Sequence, residues 1–210
     1  MISVDEALER ILSYVSVLEP EEKPIVEALS QVLAEDVIAP FNIPPLDNSA
    51  MDGYALQAAS TVGASPSGPV ELRVVGELAA GYIFEGEVTP GTAVRIMTGA
   101  PVPRGADAVV PFEETEEAAH KAPATARRID EGVRILREAR PGGNIRRAGE
   151  DIREGQQVLA KGVVLRPAEI GVLASVGRIT VEVIRRPVVA LLSTGDELVE
   201  VGQPLPPGRI

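Results

Sequence analysis

The 210-residue sequence contains no cysteine and a single histidine, His120. Without cysteine, the chain can form neither disulfide bonds nor thiolate metal sites. One histidine is too few for a zinc site built on several imidazoles. We interpret His120 as a surface residue, which disfavours Ser-His-Asp catalysis. Any metal that the chain binds is therefore expected to be a hard cation with oxygen ligands, such as Mg²⁺.

The sequence also lacks long apolar runs and an excess of positive charge. Hydrophobic residues make up 45% of the chain, but no apolar segment is long enough to cross a bilayer. The first residues do not combine the basic and apolar segments of a signal peptide, so we expect a cytoplasmic protein. The formal net charge of −11 argues against nucleic acid or an anionic membrane as the main partner.

Three helices are predicted from the spacing of apolar residues. They cover residues 4–17, 27–34 and 167–175. Ser3 and Glu6 form a capping box at the start of the first helix, and Pro167 is well placed to open the third. The two N-terminal helices are amphipathic, so their apolar faces need cover from the later part of the chain or from a second subunit.

The middle of the chain is predicted to be rich in β-structure. Glycine and proline, 20 and 18 residues, are scattered without a repeat, which favours short strands joined by tight turns. Strands are predicted at 70–75, near Val88, and at 93–96, 108–110, 155–162 and 179–183. The acidic stretch from Glu113 to Arg128 is expected to be a mobile loop, and it contains His120.

A buried strand is predicted near the end of the sequence. Val188 to Leu192 is continuously apolar, as in a parallel strand that is covered on both faces. A polar, glycine-containing turn follows directly, and open α/β sheets bind ligands where a strand ends in such a turn. Because a lone parallel strand cannot cover both of its faces, we expect a further domain that continues past Ile210.

These patterns predict a multidomain fold of the α+β or mainly β class. A mixed α/β region that links the domains and forms the dimer is expected at 1–42 together with 143–183, and an inserted β-rich domain at 44–142. Residues 184–210 are expected to begin a truncated α/β domain with its first strand.

Four short motifs place a carboxylate or a hydroxyl beside a glycine, mostly at a predicted strand end or turn. They are Ser49 to Ala55, Arg95 to Pro101, Arg146 to Ile152, and Ser193 to Leu198. Pro44, Pro45 and the turn dipeptide Asp52-Gly53 predict a rigid, partly buried loop that holds Asp52 in a fixed place. Each motif alone is more often an ordinary turn or a surface ion pair.

Taken together and in this order, the motifs resemble the molybdopterin molybdenumtransferases, and the resemblance extends from the N-terminal helix to Ile210. It implies that molybdate is ligated into adenylated molybdopterin with release of AMP in a Mg²⁺-dependent step of molybdenum cofactor synthesis. It also implies an elongated homodimer whose active site lies between the β-rich domain of one subunit and the molybdopterin-binding α/β domain of the other. The molybdopterin adenylyltransferase is a further candidate partner.

The resemblance also implies roles for individual residues. The catalytic residues would be Asp52, Thr98, Asp151 and Glu197, and the cofactor would be bound by Arg146, Ser193, Thr194 and Gly195. The three carboxylates would hold Mg²⁺ directly or through water, while Thr98 and Arg146 would donate hydrogen bonds to the oxyanion. Ala148 stands where many relatives have another basic residue, so a third cation is in doubt.

Two other interpretations stay open at this stage. The first is a non-catalytic, dimeric scaffold module of the same fold. The second is a magnesium-dependent nucleotide binder, which would explain the carboxylates but not the order of the motifs. Since members of the family carry about as much chain again, we expect the 210 residues alone to be inactive.

Overall fold

A computed structural model of the chain describes residues 2–117 and 132–210. Most of its regular structure is β, with two α-helices in the described residues, which confirms the mainly β character predicted from the sequence. His120 and most of the predicted loop at 113–128 lie outside the described residues. Residues 112–117, at the start of that stretch, form a short 3₁₀ helix and a strand instead of a loop.

The chain divides into two compact units. We call Met1–Asp36 with Ala160–Ile210 the terminal unit, and Val37–Leu159 the central unit. Their boundaries differ from those of the three predicted parts, and the three-part division stays a prediction. In chain order the elements are α1 (Val4–Leu12), β1 (Pro20–Pro24), β2 (Val37–Ile38), β3 (Asn48–Ser49), β4 (Gly53–Leu56), β5 (Val70–Leu78), β6 (Thr92–Ile96), β7 (Ala108–Pro111), β8 (Thr115–Glu117), β9 (Gly132–Ile135), β10 (Ile145–Arg146), β11 (Gln157–Leu159), α2 (Pro167–Ser175) and β12 (Thr180–Ile184).

Helix α1 begins where the sequence predicts and ends five residues earlier. The Ser3 hydroxyl accepts a hydrogen bond from the Glu6 backbone N–H at 3.1 Å, as an N-cap does. The helix ends at Leu12, and the Ser13 hydroxyl then donates to the Arg10 carbonyl oxygen at 2.7 Å. Within the described residues, no helix is long and apolar enough to span a membrane.

The prediction of a helix at 27–34 is wrong, because the backbone of this segment forms hydrogen bonds with residues far away in the sequence instead. Ser30 has a φ of +66°, which no α-helix allows, and its N–H donates to the Leu165 carbonyl at 2.7 Å. The Leu33 N–H donates to the Val163 carbonyl at 2.8 Å. Ala28 and Leu33 are fully buried, whereas Leu29 is 43% exposed, so the helical spacing predicted neither the backbone conformation nor the whole of the buried face.

Strand β1 was not predicted, although it forms the longest pairing in the terminal unit. It lies antiparallel to β12, with Pro20 opposite Ile184 and Pro24 opposite Thr180. Its sequence, with proline at both ends and three charged residues between them, resembles a loop. Proline is nevertheless tolerated in a strand that has a partner on one side only.

The strand predicted at Val188 to Leu192 is absent: residues 185–195 form neither helix nor strand. Val188 and Leu191 are each 93% exposed instead of buried. A parallel strand needs neighbouring strands and cover on both faces, and none of the described residues supplies either. The first strand predicted for an α/β domain at 184–210 is therefore not formed in this structure.

The central unit is built on a six-stranded sheet in the order β7-β4-β6-β5-β9-β8. Strands β5 and β6 are parallel, and all other neighbours are antiparallel. Tyr54 and Leu56 pack into one apolar cluster, whereas Ala55 packs into a second cluster with Val94 and Val109. The alternation places a core on each face of the sheet, which explains why β4 is buried throughout.

The predicted strands at 70–75, 93–96 and 108–110 are confirmed as parts of β5, β6 and β7. The segment 155–162 contains only the short strand β11, and 179–183 corresponds to β12. Val88 is fully buried but lies outside the strands. Helix α2 has the predicted bounds, and proline opens it.

Glu169 fixes the first turn of α2 and generates a stability prediction. Its carboxylate accepts the Arg166 backbone N–H at 3.0 Å and the Arg166 guanidinium at 2.7 Å. The hydrogen bonds from the Arg166 side chain are the main cause that lowers the pKa of Glu169 to about 2 from 4.5. Because the folded state holds the lower pKa, this contribution to stability is present above pH 4.5 and is lost as the pH falls through about 2.

We expect Glu169→Gln to lower the midpoint of thermal unfolding at pH 7, with a difference from wild type that shrinks below pH 4.5 and disappears near pH 2. Circular dichroism melts across this pH range measure it. Glu9→Gln, on the exposed surface of α1, is the control and should melt like wild type at every pH. A Glu169→Gln difference of equal size at pH 7 and pH 2 would contradict the assignment.

Candidate active site

Three of the four sequence motifs meet at β3, in the central unit. In the pairing of β3 with β10, Ser49 lies opposite Ile145 and Asn48 lies opposite Arg146, so the start of the first motif adjoins the start of the third. The Ser49 N–H donates to the Ala100 carbonyl at 3.0 Å, and the Ser49 carbonyl accepts from the Gly99 N–H at 2.8 Å. These backbone hydrogen bonds join the second motif to the first.

Asp52 is held by Thr98. Its Oδ1 accepts two hydrogen bonds of 2.7 Å, one from the Thr98 backbone N–H and one from the Thr98 hydroxyl. The two residues meet because Asp52 directly precedes β4, Thr98 follows β6, and Gly53 lies opposite Ile96 in this antiparallel pair. The other oxygen, Oδ2, accepts no hydrogen bond from the described residues, and the side chain is exposed.

The hydrogen bonds from Thr98 also set the charge of Asp52. The backbone N–H is the main cause that lowers the pKa of Asp52, and the hydroxyl is the second. Both donors favour the carboxylate over the protonated acid. Asp52 is therefore an anion at neutral pH that presents one unoccupied oxygen.

Gly53 has a different role from the one the sequence predicts. It does not adopt the positive φ expected of a turn glycine, and it is the first residue of β4. A Cβ at this position would collide with the Val110 carbonyl oxygen and lie 2.8 Å from the Pro111 Cα. Glycine is needed here because β7 approaches the backbone closely.

Arg95 is a site residue whose role the sequence analysis missed. Its guanidinium lies 4.5 Å from the centroid of the Phe112 ring, and its Nη1 lies 2.7 Å from Glu77 Oε1. Phe112 in turn contacts Tyr54 edge to face, with ring centroids 5.5 Å apart. The charge of Arg95 is a smaller cause of the lowered pKa of Asp52. The only signal in the sequence is its place three residues before Thr98.

Arg146 and Asp151 lie together, and each is the other's partner. Arg146 Nη2 donates to Asp151 Oδ1 at 2.5 Å, and Arg146 Nε donates to Glu150 Oε1 at 3.4 Å. The hydrogen bond to Asp151 is the main cause that raises the pKa of Arg146. The predicted cation of the site is therefore balanced by two carboxylates within its own turn.

Asp47 is a second residue that the sequence analysis missed. Its Oδ1 accepts the Ala148 backbone N–H at 2.8 Å, and its Oδ2 accepts from Arg147 Nη1 at 2.5 Å. The Ala148 N–H is the main cause that lowers the pKa of Asp47, followed by Arg147. Position 148, where the sequence analysis noted a missing basic side chain, thus contributes its backbone. The signal available in the sequence was Asp47's place in the first loop.

The fourth motif belongs to the terminal unit, whereas the other three motifs belong to the central unit. Ser193 and Thr194 are exposed and belong to no strand. Gly195 has a φ of +149°, and its carbonyl accepts the Leu198 N–H at 3.2 Å in a turn. Residues with a Cβ rarely adopt this φ, so glycine is favoured at position 195.

The described residues do not form a metal cage of their own. Within residues 2–117 and 132–210, no three carboxylate or imidazole side chains are grouped closely enough to hold a metal ion. Magnesium commonly takes only one or two protein carboxylates together with water and substrate phosphates. The open Oδ2 of Asp52 has the donor chemistry for such a ligand, whereas Asp151 Oδ1 is bound to Arg146.

The family model that describes the MoeA N-terminal region (domain I and II) matches residues 2–177. The chain belongs to this family. Its relatives include molybdopterin molybdenumtransferase 2 of Mycobacterium tuberculosis, 41% identical over 210 residues, which cover 100% of this chain and 49% of that protein. The molybdopterin molybdenumtransferase of Bacillus subtilis is 39% identical over 209 residues, covering 100% of this chain and 47% of that protein.

A solved structure shows the same fold. The molybdopterin biosynthesis MoeA protein from Pyrococcus horikoshii OT3 is 37% identical, with a TM-score of 0.84 over 99% of this chain and 52% of that chain. These matches confirm the resemblance that the four motifs carry. The chain spans about half the length of the curated relatives that it matches.

We expect Gly53→Ala to destabilise this member of the MoeA family by about 1–3 kcal/mol, because the new Cβ would force β7 away from β4. Urea unfolding measures the change. Gly171→Ala is the matched control, since a Cβ there meets nothing within 4 Å and alanine favours the helix. Equal stability of Gly53→Ala and wild type would show that β7 can move without cost.

We expect Thr98→Val to raise the pKa of Asp52 part of the way to its ordinary value, because the hydroxyl is lost and the backbone N–H remains. Carboxyl ¹³C NMR over a pH titration measures this. Thr180→Val removes an equivalent hydrogen bond, from Thr180 Oγ1 to Glu22 at 2.6 Å in the terminal unit, and should leave Asp52 unchanged. An unaltered Asp52 titration in Thr98→Val would contradict the hydroxyl's role.

Proposed function

We propose that the whole protein acts in molybdenum cofactor biosynthesis, where it ligates molybdate into adenylated molybdopterin and releases AMP. The observation that carries this proposal is the joining of three motifs around β3, which sets the Asp52 carboxylate and Thr98 side by side. Curated relatives with the name molybdopterin molybdenumtransferase match the chain over its full length and support a role in molybdenum cofactor biosynthesis.

Thr98 acts on Asp52 before it acts on any substrate. A hydroxyl carries a single proton, and the Thr98 proton is directed to Asp52 Oδ1. Thr98 can then accept a hydrogen bond through its lone pairs, but it cannot donate to an oxyanion while it holds Asp52. We therefore assign Thr98 the task of orienting the carboxylate, which differs from the oxyanion-donor role that the resemblance implies.

Arg146 can bind an anion without losing its carboxylate partners. A guanidinium has five N–H donors, and the hydrogen bonds to Asp151 and Glu150 occupy one on Nη2 and one on Nε. The remaining donors are available for phosphate or molybdate oxygens. Asp151 therefore holds Arg146 through Oδ1. To bind a metal ion as well, Asp151 would have to use Oδ2.

Mg²⁺ belongs to the proposal as the cation that neutralises the phosphate charge while the phosphoanhydride bond breaks. Asp52 would bind it through Oδ2, and the two hydrogen bonds from Thr98 would keep that oxygen in place. The roles in metal and cofactor binding that the resemblance implies for Glu197, Ser193, Thr194 and Gly195 are part of the proposal.

The proposed assembly is a cytoplasmic homodimer, with the molybdopterin adenylyltransferase as a further candidate partner. The dimer is supported by α1, because Leu8, Ile11 and Leu12 are each more than half exposed on one helix. Exposed apolar stripes of this kind are usually covered by another surface.

We expect the full-length protein to release AMP from adenylated molybdopterin only when molybdate is added. Asp52→Asn should lower the rate by about 10²–10³, since it removes a charge that stabilises the transition state. Chromatography of AMP after quenching measures the reaction. Glu116→Gln, which alters an exposed carboxylate on the edge strand β8, is the control and should keep full activity.

The same assay separates the enzyme from the alternative scaffold function. If the protein is a non-catalytic dimeric scaffold, the Asp52→Asn variant should fold, form the dimer and function as wild type does. The 210-residue chain alone is expected to release no AMP, and measurable release by it would contradict the proposal that the rest of a full-length family member is needed.

A further inference from the structure

Ser49 is a buried polar residue to which neither the motifs nor the proposed reaction assigns a task. Ser49 is only 1% exposed, and most of the other buried residues in the central unit are apolar. The hydroxyl donates to the Met51 carbonyl oxygen at 2.5 Å and lies 3.3 Å from the Met51 N–H, which donates back to it. It therefore closes a tight turn over the peptide directly before Asp52.

The backbone of Ser49 is fixed on the other side. Its N–H and carbonyl bond to Ala100 and Gly99, and Gly99 directly follows Thr98. A closed ring of contacts results: Ser49 to Met51, Asp52 to Thr98, and Gly99 back to Ser49. Displacement of the Met51 peptide would move Asp52 while Thr98 stays anchored through Gly99.

We propose that Ser49 is the positioning residue of the site, whose hydroxyl holds the Met51 peptide so that Asp52 Oδ1 stays on both Thr98 donors. The residue touches neither Asp52 nor any reacting atom through its hydroxyl, so it acts through the turn. Its importance for catalysis rests on the proposed function, whereas the positioning itself does not. Ser49 pairs with Gly99 and Ala100 through backbone atoms. Replacement by alanine should therefore keep this pairing and remove only the hydrogen bonds between the hydroxyl and Met51.

The test is NMR of the isotopically labelled chain, with the Thr98 backbone amide as the probe. In Ser49→Ala, the Thr98 proton resonance should move from its wild-type position toward that of Asp52→Asn, and its hydrogen exchange should become about tenfold faster. Ser49→Cys replaces the hydroxyl with a larger and weaker donor, and should shift the resonance in the same direction. Thr61→Val is the control, because the Thr61 hydroxyl is equally buried but bonds to Ala58 and Ala139.

An unchanged Thr98 amide in folded Ser49→Ala would overturn the proposal. Loss of the fold in both Ser49 variants would overturn it as well, because Ser49 would then serve the sheet and not the placement of Asp52. In the full-length protein, Ser49→Ala should lower kcat about tenfold or more with little change in KM, as expected of a misplaced carboxylate. Absence of AMP release by the wild-type protein would defeat the proposed function and leave the NMR comparison valid.

Discussion

The close antiparallel packing of β4 between β6 and β7 is the constraint on which the candidate site depends. Glycine at position 53 lets the β7 backbone come within van der Waals reach of β4, and the pairing of Gly53 with Ile96 sets the register. In that register the start of β4 meets the end of β6, so Asp52 and Thr98 become neighbours although 46 positions separate them. The apolar clusters on both faces of the sheet hold this arrangement.

Features that depend on neighbouring residues were predictable, and features that depend on distant pairing were not. The cap at Ser3 and the start of α2 at Pro167 follow from local hydrogen bonding and a fixed φ, and both are confirmed. The segment at 27–34 has helical spacing, but backbone bonds to residues 163 and 165 give it another conformation. Helical spacing of apolar residues does not fix the backbone, because hydrogen bonds with distant partners override it.

The same division applies to the site. Asp52, Thr98, Arg146 and Asp151 were identified because the resemblance carried by the four motifs implies them. Their pairing could not be read from the sequence, since it depends on which strands lie side by side. Asp47 and Arg95 were missed for this reason: the partners of Asp47 are 100 and 101 residues away, and Arg95 lies over Phe112 from a neighbouring part of the sheet.

The hydrogen bonds of the site also restrict how it can meet an anionic substrate. Asp47 and Asp52 both have lowered pKa values because N–H and hydroxyl donors point at them, so both stay negative at neutral pH. Arg146 and Arg147 are each paired with carboxylates, which offsets their charge locally. In the proposed reaction, an anionic substrate would meet the remaining N–H donors of Arg146 and the open oxygen of the Asp52 carboxylate. Two anions repel each other, and a divalent cation held by Asp52 would offset that repulsion, which is the physical reason that the proposed reaction includes Mg²⁺.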